Sequence, residues 1–119
     1  MTHQRLFKRF VTKYPHVLGD GRVRDWTVCD VSPVRGKVPL SYRQVATLIA
    51  ISALIEETGI IPSFREINRL MEKSPQGIAN HLHKLVDQGY LHRSPGIARG
   101  LTITSQGKEL LDMVEEAYL

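Results

Sequence analysis

The chain has 119 residues, 42% hydrophobic and 24% charged, which fits one modest globular core with appended segments and excludes a disordered or fibrous protein. Its single cysteine, Cys29, excludes an internal disulfide and a cysteine-based zinc site and fits a cytoplasmic protein. The formal charge of +4 is unevenly placed: residues 1–40 hold eight basic and three acidic side chains, whereas residues 41–119 hold eight and nine. A basic segment joined to a nearly neutral domain suggests contacts to a polyanion, with a solvated basic tail as the plainer alternative. Met1–Phe10 is polar and basic, unlike a signal peptide, and the longest apolar stretch, Val45–Ile55, is too short to span a bilayer, so no membrane association is expected.

Residues 3–14 read as a short amphipathic helix, with Leu6, Phe7, Phe10, Val11 and Tyr14 on one side and Arg5, Lys8, Arg9 and Lys13 on the other. Pro15 stops it, Gly19-Asp20-Gly21 turns the chain, Arg22–Val31 reads as extended, and Pro33, Gly36 and Pro39 make a linker. Ser41 caps a helix running to about Thr58. Its apolar residues (Val45, Leu48, Ile49, Ile51, Leu54, Ile55) cover most of the circumference, so it must be buried on several faces. A compact three-helix unit covers one side. The rest requires either the N-terminal segment packed back or a second subunit.

Gly59 ends that helix, and Ser63-Phe64-Arg65-Glu66 is a capping box that opens a helix over Phe64–Met71. Ser74 and Pro75 open the next, expected to run to Gln88 with Ile78, Leu82, Leu85 and Val86 inward and Gly89 closing it. Tyr90–Arg93 and Leu101–Thr104 alternate as short strands around a Gly/Pro loop. A last helix from about Ser105 carries Leu110, Leu111, Val114 and Ala117 on one stripe. The fold class is therefore mainly α with a small β-hairpin: a winged helix-turn-helix of three helices plus a wing. The domain organisation is a basic N-terminal extension (1–39), the winged unit (40–104) and a C-terminal helix (105–119) suited to dimerisation.

A helix-turn-helix lets the second helix protrude into a DNA major groove. Once the apolar face of the Pro75–Gln88 helix is assigned to the core, Gln76, Gly77, Ala79, Asn80, His83 and Lys84 remain outward, and His81 faces the core edge. Gln and Asn can pair bidentately with adenine, Ala can meet a thymine methyl, and Lys can reach guanine or phosphate. No acidic residue lies between Ser74 and Val86, which an ordinary solvated helix face would usually carry. Arg93 and Arg99 flank the wing loop, where cations grip the backbone or enter the minor groove.

The segments Ser63-Phe64-Arg65-Glu66-Ile67, Ser74-Pro75, His81-Leu82, Lys84-Leu85, Gly89-Tyr90-Leu91 and Arg99-Gly100-Leu101, with Thr58–Ser63 and Leu40–Gln44 before them, resemble the N-terminal winged helix-turn-helix domain of LexA-type repressors over about Leu40–Ile103. The resemblance implies a dimeric repressor reading a palindromic operator. It places base reading at Gln76, Gly77, Ala79 and Asn80, and backbone contacts near Ser63, Arg65, Ser74 and the Arg99 wing. Those repressors carry acidic residues where this chain has Ala79 and Asn80, so a different operator is expected. They also continue into a self-cleaving domain with a Ser/Lys pair. A chain closing at Leu119 is expected to be without it and to dimerise by other means, as a small stand-alone regulator of a phage or plasmid would. Thr102–Leu110 is similar instead to the strand–turn–helix that ends MarR- and PadR-like domains.

No catalytic site, metal or cofactor is expected: His81, His83 and His92 lack a further ligand at suitable spacing, no Gly-x-Ser-x-Gly occurs, and no phosphate-cradling glycine loop is present. Trp26 with Tyr14 and Phe10 suits packing on Val45–Ile55 better than base stacking. Glu109, Asp112, Glu115 and Glu116 make the last helix acidic on its polar face, which should point away from DNA. The expected function is sequence-specific binding of double-stranded DNA as a homodimeric, nucleoid-associated transcriptional repressor. Gln76, Gly77, Ala79, Asn80 and Lys84 would read bases, and Ser63, Arg65, Lys73, Ser74, His83, Arg93 and Arg99 would hold the backbone, with added contacts from Arg5, Lys8, Arg9 and Lys13. The alternative is a winged scaffold that docks a replication, transcription or host protein through the N-terminal arm and the apolar first helix, with Phe7 and Phe10 as anchors.

Overall fold

In a computed structural model the chain is described for residues 3–13, 42–71, 75–94 and 100–118. Among these residues five helices and one hairpin follow in the order α1 (His3–Lys13), α2 (Tyr42–Thr58), α3 (Phe64–Met71), α4 (Pro75–Asp87), β1 (Leu91–Arg93), β2 (Leu101–Ile103) and α5 (Ser105–Tyr118). The extended reading of Arg22–Val31, the proline linker and Trp26 fall outside the described residues. No helix of the described residues is long and apolar enough to cross a membrane.

Helix α2 is the centre. Leu48, Ile49, Ala50 and Ile51 are consecutive and all fully buried, and four successive helical positions point almost all round the axis. Helices α3 and α4 cover one side, while α1 and α5 pack on others. Leu6 and Phe10 are fully buried and Phe7 nearly so, in the same cluster as α2. Of the two ways to cover the surplus apolar face of α2, the structure uses the N-terminal helix of the same chain.

The start of α1 is also tied by polar contacts. The His3 backbone N–H donates to Glu56 Oε2 at 2.6 Å, giving the first turn an anionic partner for an amide that has none within the helix. The imidazole Nδ1 meets the Ser52 hydroxyl and lies 3.3 Å from Glu56 Oε1, while Nε2 lies 3.3 Å from Glu115 Oε2 on α5. One side chain thus bridges three helices. Changing His3 to Ala is expected to lower unfolding stability by about 1–2 kcal/mol in urea titration. An unchanged midpoint would mean that Leu6, Phe7 and Phe10 alone hold α1.

Sequence and structure agree closely on the α3–α4 unit. Ser63 caps α3, with the Glu66 amide donating to its hydroxyl at 3.3 Å. Helix α4 ends through Gly89, which has a φ of 85° and lets the Tyr90 amide turn back to the Leu85 carbonyl at 2.9 Å. That bond takes Tyr90 out of β1, so the strand starts one residue later than its alternation suggests. The hairpin is antiparallel, pairing Leu91 with Ile103, His92 with Thr102 and Arg93 with Leu101. Thr104 is likewise taken from β2 by a capping role. Its hydroxyl donates to the Gly89 carbonyl at 2.6 Å and accepts from the Gly107 amide at 3.1 Å, locking the start of α5 onto the turn after α4.

The apolar stripe of α5 serves this chain's own core, where Leu110, Leu111 and Val114 are buried. Among the described residues the large hydrophobics left exposed are Ile60, at 54%, and Met113, at 39%. A docking surface built on Phe7, Phe10 and the apolar face of α2 is therefore not available at the surface, because those groups face one another inside the chain.

Candidate nucleic-acid interface

Helix α4 presents two distinct sides. Ile78, Leu82 and Leu85 are buried against the core, whereas Asn80, His83 and Lys84 are exposed and Ala79 is half-buried beside them. Asn80 and Lys84 are four residues apart, as are Ala79 and His83, so these side chains form adjacent rows on one surface. Gln76 and Gly77 lie in the first turns of α4, but their side chains are outside the described residues. Lys73, Ser74 and Arg99 are outside them too. Arg65 is exposed on α3 just after the capping Ser63.

His83 carries a neighbour that its assignment to phosphate did not include. Its Nε2 lies 3.4 Å from Asp87 Oδ2, one turn along α4, with both groups well exposed. The spacing i to i+4 made this pair legible in the sequence. Asp87 follows directly after the acid-free stretch and places a carboxylate at the far end of the exposed side of α4.

Arg93 and the residue that holds it depend on strand register. Successive side chains in a strand alternate between faces, so Arg93 shares its face with Leu91 and, across the hairpin, with Leu101. Both leucines are buried. Arg93 therefore leans over the protein body, with its guanidinium carbon 5.2 Å from the centroid of the Phe64 ring at the start of α3. The two residues line a cleft of about 260 Å³ whose other walls are Ala79, Asn80, Leu82, His83, Val86 and Leu101. Its lining is mainly apolar, and Asn80, His83 and Arg93 supply polar groups. From residue type and position alone Arg93 and Arg99 are equivalent flanks of a loop; the Phe64 contact distinguishes Arg93. The aromatic residue directly after the Ser63 cap, half-buried at the helix start, was the available signal.

Arg5, Lys8, Arg9 and Lys13 are exposed on the outer side of α1. They are carried by a helix docked on α2 and α5 rather than by a free arm. The acidic side chains Glu109, Asp112 and Glu116 are exposed on α5, while Glu115 turns toward His3. Among the described residues no group of His, Cys, Asp and Glu is arranged to hold a metal ion.

Three packed helices, a capped second helix leading into an exposed third, and a two-stranded wing beside it define a winged helix-turn-helix DNA-binding domain. The family model for the LexA DNA binding domain matches residues 37–100, more than half of the chain, and the chain belongs to that family. It is 43% identical over 68 residues to LexA repressor 2 of Geobacter sulfurreducens, covering 56% of this chain and 34% of that protein. It is 35% identical over 77 residues to the LexA repressor of Thermotoga neapolitana, covering 65% of this chain and 39% of that one. With the LexA repressor of Anaeromyxobacter dehalogenans it shares 38% identity over 73 residues, covering 60% and 32%. The chain thus spans about a third to two fifths of the length of these relatives. The family match stops short of both α1 and α5, so part of the core that supports the winged unit lies outside the matched region.

Proposed function

We propose that the chain regulates transcription as a repressor, binding a specific duplex sequence through α4 in the major groove and occupying its site as a homodimer in the nucleoid. The observation that carries this reading is the exposed surface of α4, where Asn80, Lys84 and His83 stand clear of the core beside Ala79. Asn80 offers the amide pair that matches adenine, Ala79 a methyl-sized contact, and Lys84 a cation for guanine or phosphate. Gln76 and Gly77 complete the reading set at the start of the helix. Ser63, Arg65, Lys73, Ser74, His83, Arg93 and Arg99 hold the sugar-phosphate backbone, and the basic side of α1 adds sequence-independent attraction.

A single short helix contacts only a few base pairs, so two copies on a two-fold symmetric site supply the remaining discrimination. Selection from a random duplex pool should return a sequence with two-fold symmetry, and binding to it should weaken steeply with salt. Enrichment of no sequence would remove the repressor reading. On the selected duplex, changing Asn80 to Ala is expected to relax preference at one base position per half-site, losing about 1–3 kcal/mol of discrimination there. A uniform loss across all sequences would instead place Asn80 on the backbone.

A further inference from the structure

We propose that Phe64 is a positioning residue for DNA binding: its ring holds the Arg93 guanidinium at the edge of the cleft between α4 and the wing, aimed at a backbone phosphate. This rests on the reading of α4 as the groove-binding helix. The argument begins with register. Because Arg93 pairs with Leu101 and shares the body-facing side of the hairpin, its guanidinium must cross half-buried surface before it reaches solvent. Phe64 is the surface that it crosses, at 5.2 Å from guanidinium carbon to ring centroid.

A guanidinium held over an aromatic ring keeps N–H donors directed away from the ring available, and these match the oxygens of a phosphodiester. Stacking also removes much of the rotamer freedom that a solvated arginine would lose on binding. The position is suited to the task. The same cleft is lined by Asn80 and His83 of α4, so a strand that follows α4 in the groove passes the guanidinium. The wing cation is thereby fixed relative to the reading helix by a contact to the first helix of the helix-turn-helix, although Phe64, Arg93 and the α4 residues lie on three different elements.

The test is a double-mutant cycle on the full chain with the selected duplex: Phe64→Leu, Arg93→Ala and both together, with Phe64→Tyr as the variant that keeps the ring. Arg93→Ala should weaken binding and reduce the slope of log affinity against log salt by about 0.9, the signature of one lost phosphate contact. Phe64→Leu should weaken binding about two- to fivefold when Arg93 is present and leave affinity unchanged when it is absent. Phe64→Tyr should bind as the unsubstituted chain does. Equal losses from Phe64→Leu in both backgrounds, or a Tyr variant as weak as the Leu variant, would overturn the proposal.

Circular dichroism decides whether Phe64→Leu is folded. If it is not, Arg93→Lys takes its place, because lysine keeps the charge but cannot present a stacked planar fork. It should bind more weakly while retaining the salt slope, and a Lys variant equal to the original would overturn the proposal. An unsubstituted chain that selects no duplex overturns the underlying reading as well, and that result precedes any variant.

Discussion

Replacing Phe10 with alanine is expected to lower the unfolding free energy by about 4 kcal/mol, within the range for removing a fully enclosed aromatic side chain. Phe10 is fully buried, is the largest fully enclosed side chain among the described residues, and sits with Leu6 and Phe7 in the cluster built on α2. The loss combines transfer of the ring from water with the cavity left between helices that relax only partly. It is large relative to the stability of a small domain, about 5–15 kcal/mol. The functional consequence follows from where the ring lies. Without α1, the apolar residues of α2 that α1 covers would meet water, and the expected result is self-association of the variant as well as a lower melting temperature. Urea unfolding followed by circular dichroism, with light scattering for association, checks both. A loss below about 1 kcal/mol with no association would show that α1 is dispensable to the winged unit, as ordinary surface substitutions are.

Alanine at Gly107 is expected to destabilise the chain by about 3 kcal/mol, at the upper end for an added methyl group in a close-packed site. A Cβ there would overlap the Tyr90 carbonyl oxygen and stand 2.8 Å from Ile103 Cγ2. The first obstacle is backbone and cannot rotate aside. The Tyr90 carbonyl also accepts the Thr104 amide at 3.2 Å, so relief requires moving α5 away from the turn after α4 and from the base of the wing. The prediction has a second part. Because α5 is set against the segment that orients the wing, the Gly107→Ala variant should lose affinity for the selected duplex even at temperatures where it remains folded. Thermal unfolding and binding isotherms at low temperature separate the two effects. Unchanged melting would mean that α5 can shift on the wing at little cost.

The elements of the winged unit were legible because their signals are local. Ser63 and Glu66 are three residues apart and mark the start of α3, Ser74-Pro75 marks the start of α4, and Gly89 its end. The inward residues Ile78, Leu82 and Leu85 follow from helical spacing alone, and with them the outward set that includes Asn80, His83 and Lys84. The His83–Asp87 pair is equally local, lying one helical turn apart just past the acid-free stretch. Arg93 was different. Its residue type was informative, but its side of the hairpin depended on which of two adjacent apolar residues, Tyr90 or Leu91, marks the body-facing side of the strand; the Tyr90 amide closes the end of α4, and Leu91 leads the strand that carries Arg93 on its own face.

By itself, then, the sequence determined, within the described residues, which stretches are helix or strand, where caps end them, which face of each is apolar, and that α2 needed more cover than a three-helix unit provides. These properties arise between residues a few positions apart, where backbone geometry fixes the spacing. Tertiary structure alone decided that α1 provides the cover, that His3 joins α1 to both α2 and α5, that Gly107 sits against a carbonyl, and that Phe64 lies beneath Arg93. The His3 amide and its Glu56 partner are 53 positions apart in the chain. Contacts at such separation are set by how apolar faces of several helices close on one another, and many pairs of faces in one sequence are compatible until the whole core is packed.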